Sequence, residues 1–207
     1  MPVIALVGNK GGAGKTTLSV NIAAGIARDR RTAVLDADPQ GSSLQWRAFT
    51  EDENALDVYE ANGDLSDQIQ DLRQQYDCLV IDCPPSVHAP QTHTVLRSCD
   101  LALIPVQPSP VDLWATVHTE RAIEQAREVN PHLRAILVLN QLESRTTLSR
   151  LVREAAEEID LPVAKTGIRR RAIYRASALE GKSVFDLGKR GADAADELKN
   201  LLEEVMN

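Results

Sequence analysis

A glycine-rich loop between a short apolar run and a helical pattern constrains the fold of this chain more than any other feature. The run VIALV at residues 3–7 is apolar and β-branched, as expected of a strand buried on both faces. After the loop, apolar residues recur at a spacing of four, which is typical of one helix face: Leu18, Ile22 and Ile26. A strand, a loop of glycines and a helix in this order predict the first unit of an α/β domain, with a ligand site at the loop.

Four more apolar runs repeat the strand pattern along the 207 residues. They cover residues 32–36, 78–82, 101–106 and 135–140, with stretches of helical period between them. Strands that alternate with helices form right-handed crossovers, so we expect the α/β fold class: a doubly wound, mostly parallel sheet flanked by helices. No low-complexity linker, repeat or break in composition divides the chain, which predicts a single domain over residues 1–207.

The loop has the composition of a phosphate-binding site. Three of its residues are glycines: Gly11, Gly12 and Gly14. Glycines allow the backbone to turn its N–H groups towards an anion, and the helix that begins near Lys15 adds the positive end of its dipole. Lys15 is placed to reach the β- and γ-phosphates of a nucleotide, and the Thr16 hydroxyl is placed to ligate Mg²⁺. Asn9 stands where such loops usually begin with glycine, and a second lysine, Lys10, precedes the glycines.

The run KGGAGKTT at residues 10–17 resembles the deviant Walker A box of the ParA/MinD family of P-loop ATPases. The resemblance implies ATP and Mg²⁺ as cofactors, with nucleotide contacts along the whole box. The implied contacts are Gly11, Gly12, Ala13, Gly14, Lys15, Thr16 and Thr17. In this family the first lysine, here Lys10, reaches across a homodimer interface to the nucleotide phosphates of the other subunit, where a cation neutralises charge on the transferring group. The alternative is that Lys10 is a solvated loop residue.

Two further motifs resemble those of the same family and place carboxylates at strand ends. VLDADPQG at residues 34–41 carries Asp36 and Asp38, which project the same way from the end of one strand. The resemblance implies that Asp38 orients the attacking water, as a catalytic residue beside Lys10 and Lys15, and that Asp36 helps to hold Mg²⁺. CLVIDCPPS at residues 78–86 resembles the family's Walker B strand, which makes Asp82 a magnesium ligand, together with Thr16.

Later segments continue the resemblance less specifically. LIPVQPSPVDLWA at residues 103–115 is similar to the family's dimer-facing loop, although a tight turn before a helix explains it equally well. Asn140 follows the last apolar run, where relatives place a residue that contacts adenine, and its amide can both donate and accept. An ordinary asparagine turn at a strand end is the alternative.

The charge distribution separates the last third of the chain from the rest. The whole sequence carries −7, but eleven Lys/Arg and six Asp/Glu fall within residues 145–190. The resemblance makes this basic region a candidate for non-specific binding of double-stranded DNA. The candidates are Arg145, Arg150, Arg169, Arg170, Arg171, Arg175 and Lys182. No base-reading motif is recognisable, so any DNA contact should be to phosphates, and a solvated charged face is the alternative.

The chain begins at its first predicted strand, without an N-terminal DNA-reading domain, which resembles the short ParA-type partition ATPases and the related carboxysome-positioning ATPases. That likeness implies a slow ATPase that dimerises on ATP, coats the nucleoid and moves a cargo, with hydrolysis stimulated by a ParB-like or McdB-like partner protein. We expect a cytoplasmic, nucleoid-associated protein, because no signal peptide or membrane-spanning run is recognisable. Three cysteines without CxxC spacing indicate buried thiols rather than a disulfide or zinc site.

Three other functions are compatible with a phosphate loop of this kind. A MinD-like membrane-cycling regulator needs a basic amphipathic C-terminal helix, whereas the tail ADELKNLLEEVMN is acidic on its polar face. A metabolic P-loop enzyme of the nitrogenase iron-protein or dethiobiotin synthetase kind is another alternative. The iron-protein version needs cysteines for an iron–sulfur cluster, for which Cys83 and Cys99 could be mistaken, but the basic C-terminal cluster has no use there. The third is a scaffold that uses ATP to form filaments.

Overall fold

The computed structural model describes residues 1–52, 55–143 and 159–206, in which strands and helices alternate. The strands are β1 Val3–Leu6, β2 Thr32–Asp36, β3 Asp57–Glu60, β4 Cys78–Asp82, β5 Leu101–Val106 and β6 Arg134–Leu139. The helices are α1 Lys15–Ile26, α2 Ser42–Ala48, α3 Leu65–Gln75, α4 Pro90–Ser98, α5 Pro110–Arg127, α6 Ala172–Leu179 and α7 Ala192–Met206. A 3₁₀ segment, Val184–Arg190, connects α6 to α7. Arg145 and Arg150 lie outside the described residues.

The strands form one six-stranded sheet in the order β3-β2-β4-β1-β5-β6. Every pairing in this sheet is parallel, with Leu6 opposite Asp82 and Asp36 opposite Asp82 on the two sides of β4. All residues of β1, β2, β4 and β5 are buried, which explains their continuous apolar runs. The structure therefore confirms the predicted α/β doubly wound fold.

Helices cover both faces of the sheet. One apolar cluster joins α1, the 3₁₀ segment and α7 to one face through residues that include Ile22, Val184 and Leu198. A second cluster joins α3, α4 and α5 to the other face through residues that include Ile69, Leu96 and Ile123. Because both faces are covered, the ends of the strands are the places where a ligand can reach the sheet.

The C-terminal helix α7 is an integral layer of the fold. Leu198, Leu201 and Val205 are fully buried on its apolar face. A side chain at Gly25 of α1 would approach Phe185 and Leu202 to about 3 Å, so glycine there permits the close contact between α1 and this region. Within the described residues, none of the helices combines the length and the apolar character that crossing a bilayer requires.

Candidate nucleotide-binding site

The glycine loop leads directly from the end of β1 into the first turn of α1. Gly12 and Gly14 adopt positive φ angles of 79° and 95°, a conformation that glycine tolerates without strain. Gly14 is the N-cap of α1 and provides no side-chain cap, so the first N–H groups of α1 keep their capacity for an external acceptor. A helix start of this kind favours an anion, which agrees with the predicted phosphate loop.

Lys15 lies inside the loop and is 7% exposed. Its Nζ donates to the Lys10 carbonyl oxygen at 3.1 Å. Burial lowers the pKa of Lys15, while the nearby carboxylates of Asp82 and Asp38 oppose that shift. A buried ammonium with acceptors on one side is suited to exchange part of this environment for phosphate oxygens.

Lys10 lies at the rim of the loop, and its side chain is 48% exposed. Its ammonium forms an ion pair with Asp112, a buried carboxylate in the first turn of α5. Sequence reasoning missed Asp112, since an acid in the first turn of a helix is a common stabilising feature with no functional signal of its own. The second lysine is thus held at the surface by α5 rather than turned into its own loop.

Asp36 organises the segment that follows β2. One carboxylate oxygen accepts the Asp38 N–H at 3.2 Å, and the other accepts the N–H groups of Ser43 and Leu44 at 2.8 and 3.1 Å. Burial raises the pKa of Asp36, and these three backbone donors lower it. Both oxygens of Asp36 are engaged by backbone donors, so Asp36 shapes the loop that carries Asp38.

Asp82 at the end of β4 has the character of a metal ligand. Its Oδ2 accepts the Ser43 hydroxyl at 2.8 Å, whereas its buried Oδ1 has no hydrogen-bond partner in the described structure. Burial raises the pKa of Asp82 to about 6, although the hydroxyls of Thr16 and Ser43 oppose the shift. An acceptor without a donor at a buried position is costly, so the residues present fit a cation or its bound water beside Thr16.

Three side-chain amides hold the carbonyl oxygens of the loop. Asn140 Nδ2 donates to Ala13 O at 2.8 Å in a buried contact. Gln107, after β5, and Gln141, after β6, both donate to Gly12 O, at 2.6 and 2.8 Å. A side chain at Gly14 would collide with the Asn140 amide, so glycine at this position allows Asn140 to lie close to the loop. Asn140, predicted from the family resemblance to contact adenine, is placed against the loop backbone.

A cavity of about 210 Å³ opens beside the start of α1. Gly14, Thr17, Asn140 and Gln141 line one side, and residues 168–172 with Tyr174 and Arg175 line the other. The hydroxyl of Tyr174 is buried without a hydrogen-bond partner among the described residues. Several of the predicted nucleotide contacts therefore border a space next to the phosphate loop, and four arginines predicted as DNA contacts border it as well: Arg169, Arg170, Arg171 and Arg175.

Most of the predicted DNA-binding residues in the described part of the chain are paired with carboxylates. Glu197 of α7 holds Arg171 at 2.7 Å and Arg169 at 3.5 Å, and Asp193 also pairs with Arg171. The other pairs are weakly held on the surface: Arg170 with Glu143 and Lys182 with Glu180. Arg175 is exposed, and none of the described carboxylates forms an ion pair with it.

The three cysteines are all buried within the two apolar clusters, as predicted. Burial raises the pKa of Cys78 to about 11 and that of Cys99 to about 12, and it raises the pKa of Cys83 well above its ordinary value. Thiols that stay protonated in an apolar core are poor ligands for an iron–sulfur cluster, because the thiolate is the ligating form.

Residues 4–184 match the family model of the CobQ/CobB/MinD/ParA nucleotide binding domain. The chain belongs to this family. The Maintenance of carboxysome distribution protein A of Halothiobacillus neapolitanus is 44% identical to it over 206 residues, which cover 98% of this chain and 95% of that protein. The resemblance to the ParA/MinD ATPases, inferred from residues 10–17 and the strand-end carboxylates, is confirmed.

Solved structures place the fold among nucleotide-binding proteins of this family. An ATP complex of McdA from Cyanothece gives a TM-score of 0.81 at 15% identity and covers 100% of this chain and 96% of that one. Cobyrinic acid a,c-diamide synthase of Mycobacterium smegmatis, with bound ADP and magnesium, gives 0.71 at 25% identity and covers 86% and 92%. The fold is that of P-loop NTPases with a parallel sheet.

Proposed function

We propose that this chain is an ATP-dependent positioning ATPase, which binds MgATP, dimerises, binds DNA without sequence preference and distributes carboxysomes or a similar intracellular cargo. The observation that carries the proposal is the Lys10 ammonium at the rim of an intact phosphate loop, in a chain that is 44% identical to a carboxysome distribution protein over almost its full length. We further propose that residues 1–207 act as one domain, in the cytoplasm and on the nucleoid.

The residues of the loop and the strand ends have separate roles in this proposal. The N–H groups of residues 11–17 and Lys15 bind the phosphates, because both present positive charge at the start of α1. Thr16 and Asp82 hold Mg²⁺, which supplies charge neutralisation on the phosphate oxygens. Asp36 fixes the backbone that carries Asp38, and Asp38 orients the attacking water.

A homodimer with nucleotide at its interface gives Lys10 its function. Lys10 is half-exposed, so its ammonium is able to leave Asp112 for the phosphates bound by a partner subunit. Next to it, α5 exposes Val111 and Trp114, whose side chains are 60% and 73% accessible. Large apolar side chains exposed one helical turn apart favour a protein contact at this face.

DNA binding in this proposal depends on cations that are not already neutralised. Among the described members of the predicted set, Arg175 is exposed and forms no ion pair with a described carboxylate. Arg170 and Lys182 pair with Glu143 and Glu180 near the surface, whereas Arg169 and Arg171 are tied to Glu197. Contacts from such residues go to phosphate groups, so binding should be indifferent to sequence and should weaken steeply with salt. A ParB-like or McdB-like partner would then stimulate hydrolysis and release the dimer from DNA.

The structure gives less support to the alternative functions. A membrane-cycling regulator needs the apolar face of its C-terminal helix free for lipid, but that face of α7 is buried against the sheet. A metabolic enzyme is favoured by the likeness to cobyrinic acid a,c-diamide synthase, but that likeness is 25% in identity and covers 86% of the chain. The nearly full-length likeness to a distribution protein is the stronger guide.

Binding of a random-sequence DNA duplex, measured with ATP and with ADP at several salt concentrations, tests the proposal. We expect binding with ATP alone, with log affinity falling linearly against log salt. Lys10→Ala should bind ADP normally but lose ATP-dependent dimerisation and DNA binding. If the protein dimerises on ATP without binding DNA, the DNA-binding step of the proposal is wrong. If carboxysomes are dispersed normally in a host that lacks the gene, the assignment of carboxysomes as the cargo is wrong.

The assignment of Asp38 predicts a separation of binding from hydrolysis. Asp38→Ala should retain ATP affinity, because the loop and Lys15 are unchanged, and should lose most of its turnover, by about 100-fold or more. Single-turnover hydrolysis and nucleotide binding on the same preparation measure the two effects. Undiminished turnover would remove Asp38 from the mechanism.

A further inference from the structure

We infer that Gln107 and Gln141 are positioning residues that together fix the peptide between Gly12 and Ala13 for phosphate binding. The inference rests on the proposed nucleotide function and assigns a role to two residues outside the loop. Both side chains are half-buried, and both donate from Nε2 to the same acceptor, Gly12 O, at 2.6 and 2.8 Å. They approach it from different strand ends, since Gln107 follows β5 and Gln141 lies two residues beyond β6.

The geometry of the peptide bond converts this contact into a property of the site. In a planar trans peptide the C=O and N–H groups point in opposite directions. When two amides hold Gly12 O, the Ala13 N–H must therefore point away from them. Asn140 imposes the same constraint on the next peptide by holding Ala13 O at 2.8 Å, which directs the Gly14 N–H.

The constraint is needed because glycine makes this peptide easy to rotate. Gly12 has a φ of 79°, a region that glycine enters as readily as negative φ. Rotation of the Gly12–Ala13 peptide would place a carbonyl oxygen where an N–H donor is required, and that oxygen would repel a phosphate. Two donors on one oxygen favour the binding orientation before any ligand arrives, so less of the binding free energy goes into ordering the loop.

The backbone of Gln141 shows that this residue is held in an unusual conformation. Its φ is 59°, and it is the non-glycine residue with positive φ among residues 1–52, 55–143 and 159–206. Left-handed backbone is uncommon at a residue other than glycine, asparagine or aspartate, and such strain is concentrated at functional sites. The conformation brings the Gln141 side chain to the loop beside Asn140, which itself packs against Gly14.

The test compares single and double substitutions that remove the donors and preserve side-chain length. Gln107→Met and Gln141→Met should each weaken ADP and pyrophosphate binding roughly threefold, because one donor remains on Gly12 O. The double variant should weaken both by roughly tenfold or more, since the oxygen then lacks a side-chain donor. Isothermal titration calorimetry with ADP and with pyrophosphate gives these dissociation constants.

A matched control is available at the far edge of the sheet. Gln68 is also half-buried and donates from Nε2 to a backbone carbonyl, Glu60 O, at 2.8 Å. Gln68→Met removes the same kind of hydrogen bond away from the loop, together with the one that Gln68 Oε1 accepts from the Asn62 N–H, and should leave ADP affinity unchanged. Equal ADP affinity for the double variant and for Gln68→Met would overturn the inference.

Two further measurements separate positioning from a general loss of structure. The ligand-free double variant should melt within a few degrees of the wild-type protein, and its ATPase should show a raised KM with kcat within about twofold, because a preorganised loop binds ground and transition states alike. If the ligand-free melting temperature and kcat both fall strongly, the two glutamines have a structural role and the inference is overturned. Failure of the wild-type protein to bind ADP would instead overturn the proposed function itself.

Discussion

At the scale of single residues, the two lysines of the loop differ in what surrounds them. Lys15 is buried among carboxylates and backbone acceptors, whereas Lys10 is half-exposed and held by Asp112. The ion pair keeps Lys10 away from its own loop. Its release leaves the buried carboxylate of Asp112 without its cation, so binding to the phosphates must offset that cost. In the proposed dimer, Asp112 therefore competes with the partner subunit's nucleotide for the same ammonium.

This competition predicts the effect of neutralising Asp112. Asp112→Asn should strengthen ATP-dependent dimerisation severalfold, since Lys10 no longer leaves a carboxylate to reach the phosphates. Analytical ultracentrifugation with ATP measures the dimer constant, and Asp71→Asn on the exposed face of α3 is the control. Weaker dimerisation in Asp112→Asn than in the control would show that Asp112 instead orients Lys10 for the interface.

The cysteines give a second prediction at this scale. Because burial raises the pKa of Cys78 to about 11 and of Cys99 to about 12, both thiols stay protonated at pH 8 to 9 in the native protein. Ellman's reagent should therefore react slowly with the folded protein and rapidly with all three cysteines in denaturant. Fast release of one equivalent from the native protein would indicate an accessible thiol and contradict the packing described above.

The residues of the site could be predicted from the sequence where a motif fixes their spacing. The loop and the strand-end carboxylates Asp36, Asp38 and Asp82 lie next to buried strands whose register brings them together. The contacts of Asp112, Gln107 and Gln141 could not be predicted, because their partners in the loop are 95 to 129 residues away in sequence. Contacts of this kind depend on the three-dimensional path of the chain.

At the scale of elements, strand predictions succeeded where both faces of a strand are buried. The five predicted strands are confirmed, but the edge strand β3 was not predicted, since its sequence DVYE exposes its two ends and buries its middle only partly. An edge strand pairs on one side and carries a weaker apolar signal. The apolar face of helix α7 packs against the sheet, through residues that include Leu198, Leu201 and Val205.

The packing of α7 predicts that shortening a buried side chain on its apolar face lowers the stability of the protein strongly. Leu198 is fully buried, so Leu198→Ala should lower the free energy of unfolding by about 2–5 kcal/mol. Urea unfolding followed by circular dichroism measures the change. Lys199→Ala, on the exposed side of the same helix, should change it by about 0.5 kcal/mol or less, and similar values for the two variants would contradict the burial of α7.

At the scale of the whole molecule, part of the positive charge predicted to bind DNA is neutralised by the protein's own carboxylates. Glu197 and Asp193 of α7 neutralise Arg171, while Arg175, one helical turn later, remains exposed. The net positive charge of residues 145–190 therefore overstates the charge available to a partner. The number of arginines in the sequence does not distinguish those that bind α7 from those that face solvent.

The distinction between the two arginines is testable. Arg175→Ala should weaken ATP-dependent DNA binding and reduce the slope of log affinity against log salt by about 1, as expected for one lost phosphate contact. Arg171→Ala should mainly lower the free energy of unfolding, by about 1 kcal/mol, because it loses its carboxylate partners. Fluorescence anisotropy and urea unfolding on both variants measure these effects. Loss of DNA binding in Arg171→Ala with loss of stability in Arg175→Ala would contradict the ion pairs described above.

The amides that hold the phosphate loop come from much later in the chain than the loop itself. Gln107, Asn140 and Gln141 leave the ribosome well after the loop residues that they hold, from which they are separated by 95, 127 and 129 residues. Domains form during synthesis as their parts emerge, and a parallel sheet needs its distant strands before it is complete. A nascent chain that ends before β6 should thus be unable to retain nucleotide, so that cofactor capture marks a late stage of biogenesis.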